Sequence, residues 1–183
     1  MTTRIIFAGS GGQGIQFSGK QMAKTGMYAG YQVTFLPSYG PEMRGGTTNC
    51  NVVISDEPVA SPIVGEATCA IVLNQPSLDK FQKSVLPGGV LIVNSSICGQ
   101  AEVNEGVKVL NLPANDMAME LGNIRVMNMI VLGAYLAIAG CPTQATCMKC
   151  LADAFGERRA HLLPVNEKAM ELGAAFAKEA LGL

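Results

Sequence analysis

Arg4-Ile-Ile-Phe-Ala-Gly-Ser-Gly-Gly-Gln-Gly14 decides how the rest of the chain is read. A short apolar run passes directly into clustered glycines and then into residues that favour a helix, which predicts a strand over 4–8, a loop, a helix from about Gly14 to Ala29 and a second strand over Gln32 to Leu36. A strand that ends in glycines and turns into a helix offers backbone N–H groups and a helix N-terminus to an anionic ligand. Within the helix, Ser18, Gly19, Ala23 and Gly26 leave a smooth face for packing on a sheet, between Ile15, Met22, Met27 and Tyr28. Gly30 supplies the permissive backbone of a helix C-terminus. The opening reads as a βαβ unit.

Beyond it, Pro37 to Gly46 is a run of turn formers carrying Tyr39, Glu42 and Arg44, the composition of a functional loop. Thr47 to Ser55 alternates as a half-buried strand does, with Thr48, Cys50, Val52 and Ile54 on one side. Cys69 to Leu73, Val90 to Val93 and Val107 to Leu110 are short continuous apolar runs, the pattern of strands covered on both faces. Pro76 opens a helical turn region that ends at Pro87-Gly88-Gly89. From Pro113 onward the period becomes helical, over 114–121, 125–139, 143–155 and 164–181. The expectation is an α/β fold whose last third is all helix, in a single domain over residues 1–183.

Composition narrows the function classes. The chain has 183 residues, 49% of them hydrophobic and 15% charged, with positive mean hydropathy (+0.28), an excess we read as interface. Thirteen basic and 14 acidic side chains give a formal charge of -1, so no basic field exists to neutralise a nucleic-acid backbone. The apolar start is too short for a signal-peptide core, and no apolar stretch reaches membrane-spanning length. The six cysteines lie mostly inside apolar periodic segments, as reduced thiols do in a reducing compartment, and a cytoplasmic protein is expected.

Several candidate sites compete. Gly9, Gly11 and Gly14 match the dinucleotide fingerprint, but the second strand ends in Phe35-Leu36-Pro37-Ser38, where an acidic residue should hold the ribose. An autonomous NAD-linked enzyme is disfavoured on that ground. A nucleotide- or acyl-CoA-sensing regulatory module stays open, as does a loop whose glycines serve only close packing. Gly14 to Lys20 has P-loop spacing, yet Gln21 stands where a hydroxyl must ligate magnesium. Cys147-Met-Lys-Cys150 reads as helix facing the core, with no second thiol pair to complete a cluster. His161 is assigned no catalytic role. Arg44, between Glu42 and two glycines, can clamp a carboxylate or phosphate or pair locally with Glu42. No catalytic residue and no metal ligand is assigned to the chain.

Gly9-Ser-Gly-Gly-Gln-Gly14, Ser38-Tyr-Gly-Pro-Glu-Met-Arg-Gly-Gly46, Ile54-Ser-Asp56 with Pro58, and Asn128-Met-Ile-Val-Leu-Gly133 together resemble the gamma subunit of 2-oxoacid:ferredoxin oxidoreductases, most closely the 2-oxoglutarate type. The resemblance implies a Rossmann-like, mostly parallel sheet with flanking helices. It also implies membership of a complex that decarboxylates a 2-oxoacid, forms the acyl-CoA and reduces ferredoxin. Thiamine diphosphate and magnesium are then expected on alpha and beta partners, and iron-sulfur clusters on other chains, including a ferredoxin-like delta subunit. The expected contribution of this chain is assembly and the positioning of coenzyme A, through Gly11, Gly12, Gln13 and Arg44. An indolepyruvate-type subunit, which uses the same domain in a two-chain enzyme, is the alternative within the resemblance.

Overall fold

The computed structural model describes residues 1–38 and 47–183, so Tyr39, Glu42 and Arg44 lie outside the described residues. Six strands form one sheet: β1 (Thr2–Ser10), β2 (Gln32–Pro37), β3 (Thr47–Ser55), β4 (Ala67–Val72), β5 (Val85–Asn94) and β6 (Lys108–Leu112). Their order is β2-β3-β1-β4-β5-β6. β1, β4, β5 and β6 pair in parallel, while β3 runs against both β1 and β2. The mostly parallel sheet is therefore as expected.

The opening unit differs from the sequence reading in one respect. β1, α1 (Ile15–Tyr28) and β2 follow one another as predicted, but β3 is inserted between the two strands, so the βαβ unit is split. The register puts Ser10 opposite Thr47 and Ile5 opposite Val52, so the start of β3 lies beside the end of β1. β2 becomes an edge strand. Its final residues are thus one strand removed from the glycine loop, and the position from which a ribose-binding acid normally reaches a dinucleotide belongs to another strand.

Helix α1 closes on the sheet through the small residues singled out above. A Cβ added at Gly19 would stand 2.3 Å from Cys50 Sγ, and one at Gly26 would stand 2.9 Å from a Val33 methyl group. The helix ends as expected: Gly30, at φ 87°, donates its N–H to Met27 O, and Tyr31 donates to Gly26 O. The other helices are α2 (Gln75–Phe81), α3 (Ala114–Glu120), α4 (Met127–Ala139), α5 (Gln144–Arg159) and α6 (Leu163–Leu181). Short 3-10 turns precede α4 and α6, and α5 is broken at Gly156, whose φ of 57° and ψ of -171° no helix accepts. That break falls where Phe155-Gly156 was expected to end a helix.

The two faces of the sheet are covered unequally. Ile5, Phe7, Cys50, Val52, Ile71 and Ile92 point to a large core shared with α1, α3, α4, α5 and α6. Ile6, Ala8, Val53, Val72 and Leu91 point the other way, where Leu78 and Phe81 of α2 are the helical contribution and Val59, Val64, Ala101 and Val103 come from loops. The continuous apolar strands do have both faces buried, but irregular chain replaces helices on one side. α4 is apolar all round and runs inside the large core, held against α6 at a close crossing. Cys147 and Cys150 are both buried on the helix, Cys147 within that core and Cys150 beside a depression against α1. No helix among the described residues is long and apolar enough to cross a membrane.

Candidate functional site

The end of β1 and the start of α1 meet at the point where chain order reverses on the sheet, since β3 and β2 lie to one side of β1 and β4 to the other. Crevices of this kind, outside the carboxyl ends of the strands, are where open α/β sheets receive ligands. The loop that fills the crevice is tied down by one side chain. Gln13 Oε1 accepts the Ser10 N–H at 2.6 Å, and Gln13 Nε2 donates to Leu73 O at 2.8 Å, just past the end of β4. Asn74 continues the tie: its Nδ2 donates to Ser10 Oγ at 2.6 Å, and its Oδ1 accepts the Ser77 N–H that opens α2.

This anchoring separates the loop residues by role. Gln13 is occupied, and its backbone N–H also donates to Ser10 O at 3.2 Å. Gly14 is the N-cap of α1 in the left-handed region, at φ 77°, and a Cβ there would stand 2.7 Å from Asn128 Nδ2 on α4. Gly12, at φ 88°, is required by the turn itself. Gly11 is different, because its φ is ordinary and a Cβ on it would meet no described atom within 4 Å. The N–H groups of Gly11 and Gly12 donate to nothing among the described residues.

Among the described residues the electrostatics of this end are one-signed. α1 has no side-chain cap and no acidic residue in its first turn, so its own residues do not neutralise the partial positive charge of its N-terminus. Across a cleft of about 80 Å³ lined by Gly12, Gln13 and Gly14 stand Arg125, Met127 and Asn128. The Arg125 side chain is exposed, on the short turn Ile124–Val126, where its backbone N–H is held by Asn123 Oδ1 at 3.1 Å. The Gly12 N–H group, a helix start and an arginine around one cleft can receive a phosphate or carboxylate.

Of the sequence-predicted site residues, the structure places Gly12 and Gln13 at this cleft, with Gly11 next to its lining in the chain, and Arg44 lies outside the described residues. It adds Arg125 and Asn128. Asn128 had a signal in the sequence, as the first residue of Asn128-Met-Ile-Val-Leu-Gly133, whereas Arg125 had none. His161 is exposed in a 3-10 turn. The thiols have the character of core residues: burial pushes Cys50 up to about 12 and Cys98 up to about 11, and it raises Cys147 and Cys150. No cluster of three or more metal-ligating side chains occurs among the described residues.

Known proteins share this fold. Ketoisovalerate oxidoreductase subunit VorA of Methanothermobacter thermautotrophicus is 32% identical over 96% of this chain, which spans 36% of that longer polypeptide. The gamma subunit of a keto/oxoacid ferredoxin oxidoreductase from Geobacter sulfurreducens superposes with a TM-score of 0.83 and 29% identity, covering 97% of this chain and 99% of its own. The 2-oxoglutarate:ferredoxin oxidoreductase of Magnetococcus marinus, solved with 2-oxoglutarate, coenzyme A and succinyl-CoA bound, superposes with a TM-score of 0.87 and 27% identity. It covers 97% of this chain, which spans 31% of that one. The family model described as pyruvate ferredoxin/flavodoxin oxidoreductase matches residues 4–176, nearly the whole fold with the cleft inside it, and the chain belongs to that family.

Proposed function

We propose that residues 1–183 form one gamma-type domain of a CoA-acylating 2-oxoacid:ferredoxin oxidoreductase, with 2-oxoglutarate as the substrate. In this reading the complex converts the 2-oxoacid, CoA and oxidised ferredoxin into acyl-CoA, carbon dioxide and reduced ferredoxin. Thiamine diphosphate with magnesium, on alpha and beta partners, supplies the carbanion chemistry, and iron-sulfur clusters on a ferredoxin-like delta subunit carry the electrons. The complex works in the cytoplasm, where six thiols stay reduced.

The observation that carries the reading is the family match over a chain whose glycine loop leaves the Gly11 and Gly12 N–H groups without acceptors among the described residues, with Gly12 across a cleft from Arg125. These groups suit a phosphate or carboxylate of CoA. Arg44 completes the receptor, and it stands three residues before Thr47, which pairs with Ser10 at the loop. The domain's share of the mechanism is binding and orientation: it fixes the anionic part of CoA so that the thiol end meets the acyl intermediate in a closed site, away from water. 2-Oxoglutarate is supported by the Magnetococcus complex, while the similarity to a ketoisovalerate subunit makes the branched-chain acid the competing substrate.

The test is anaerobic affinity purification of the tagged chain from its native host, followed by identification of the co-purifying chains. Dye-linked, CoA-dependent oxidation is then measured for 2-oxoglutarate, 2-oxoisovalerate, pyruvate and indolepyruvate. Thiamine-binding and iron-sulfur partners with activity on 2-oxoglutarate are expected. Recovery of the chain alone would overturn the complex reading, and preference for another acid would overturn the substrate. Titration of the complex with CoA tests the receptor, where Arg44→Ala is expected to weaken binding.

A further inference from the structure

A second surface, on the far side of α1 from the sheet, has no place in the CoA receptor. Two depressions of about 330 and 250 Å³ lie between α1 and α5 and share Lys24 and Ala154, and a third of about 390 Å³, against Phe155, Arg158 and Arg159 of α5, joins the second at Arg159. They form one trough. Along α1 it runs from Phe17 to Tyr28, about 17 Å at 1.5 Å per residue.

Along α1 its lining is cationic in the middle and apolar at the ends, and along α5 it continues over Arg158 and Arg159. Lys20, Lys24, Arg158 and Arg159 are all exposed, and none has a carboxylate within ion-pair distance among the described residues. Arg159 is held in place, its guanidinium over the Phe155 ring at 5.1 Å and its Nη2 donating to Ala154 O at 3.2 Å. The one acid lining the trough, Asp153, is engaged by the Tyr28 hydroxyl, a contact that raises the tyrosine's pKa. At one end Phe17 is 39% exposed, and at the other Met27 and Tyr28 are 65% and 55% exposed. Four unpaired cations on a chain of formal charge -1 are a local excess.

We infer that this trough seats an acidic segment of a partner polypeptide, with carboxylates over Lys20, Lys24 and Arg159 and an apolar side chain against Met27 and Tyr28. The inference rests on the reading of the chain as one subunit of a complex. Charge selects the occupant, because an unpaired basic surface gains most from an acidic partner and repels a symmetric copy of itself. Length selects a polypeptide, since about five extended residues span 17 Å at about 3.3 Å each. A compact polyanion would use the middle and leave both apolar ends exposed. The longer relative also carries further polypeptide beyond the matched region, as this chain spans 36% of it.

The experiment replaces Lys24 with a photo-crosslinking phenylalanine analogue in the tagged chain and irradiates the purified complex. The expected result is a cross-link to one peptide of a co-purifying chain in which Asp and Glu outnumber Lys and Arg. Cross-links to a neutral or basic peptide, to a second copy of this chain, or to nothing would overturn the inference. So would loss of the cross-link on adding CoA, which would make the trough a ligand site. If the chain purifies alone, the complex reading falls, and the trough is decided separately with synthetic peptides. Phe-Glu-Asp-Glu-Leu should bind the chain in a salt-sensitive way, at least tenfold more weakly after Lys24→Glu with Arg159→Glu, while Phe-Lys-Arg-Lys-Leu should not bind. Equal binding of the two peptides would overturn the inference. The neutral pair Lys24→Met with Arg159→Met should give an intermediate loss, with circular dichroism confirming that both variants fold.

Discussion

The glycines of the α4–α6 crossing and those of the β1–α1 loop are the same residue type under opposite demands. At the crossing the chain itself requires the absence of a side chain: a Cβ on Gly133 would stand 2.0 Å from Met170 O, and one on Gly173 would stand 1.8 Å from Ile130 O. Both obstacles are backbone, which cannot swing aside. In the loop, Gly12 is required by its dihedral angles, but Gly11 has neither a dihedral nor a steric reason within the described chain. The first region explains how a helix as apolar as α4 is buried inside one core. The second leaves a small residue whose reason, if it has one, lies in whatever approaches from outside.

Gly173→Ala should break the first region with the largest effect. Relieving a 1.8 Å contact with a carbonyl oxygen means separating two helices whose packing holds Ile130, Ala134, Ala169 and Met170 fully buried. Overpacking of this kind costs about 3 kcal/mol or more. For a chain of this size that lowers Tm by roughly 6–12 °C, or leaves the protein insoluble. A thermal melt within about 2 °C of the wild type would show that the crossing is not a close packing constraint.

Much of the fold was legible in the sequence because periodicity is local. The alternation of Thr47 to Ser55 and the three- and four-residue spacing after Pro113 gave elements that the structure repeats within a few residues. The insertion of β3 between β1 and β2 was not legible, because strand order depends on which distant edges pair, and no residue near Gln32 reports it. Nor did the sequence show that loops would cover one face, as the stretches supplying Val59, Val64, Ala101 and Val103 have no helical period to read. At the site the glycines were legible while Arg125 was not, since the packing of α4 brings it to the loop from more than 100 residues away. Gln13 was expected to offer its backbone N–H to an anion, but that group donates to Ser10 O, and its side chain staples Ser10 to Leu73.

That staple predicts a moderate effect, between the crossing and the open glycine. Gln13→Ala removes an acceptor from the Ser10 N–H and a donor from Leu73 O, at about 1–2 kcal/mol for the pair. Tm should fall by roughly 2–8 °C. Amide exchange of the loop should accelerate while the α4 and α6 amides stay protected. Unchanged loop exchange would mean that Gln13 does not hold the loop, and would sharpen attention on the Asn74 tie to Ser10.

Gly11→Ala should have the smallest effect on stability and the most specific effect on function. With an ordinary φ and no described atom within 4 Å of the added carbon, the change should stay within about 0.5 kcal/mol of the wild type. A methyl group beside the Gly11 and Gly12 N–H groups, which donate to nothing among the described residues, would nevertheless hold an anion away from them, because a phosphate oxygen must approach a backbone donor to about 2.9 Å. Calorimetric titration of the complex with CoA is therefore expected to show affinity reduced by about tenfold or more, the equivalent of about 1.4 kcal/mol or more. Lost affinity at unchanged Tm would assign the glycine to the ligand and separate it from Gly173, whose replacement lowers Tm by unpacking the core. Unchanged affinity would remove the ligand from Gly11 and leave Arg125, across the cleft, as the group to replace next, since its charge acts over a longer distance than a backbone hydrogen bond.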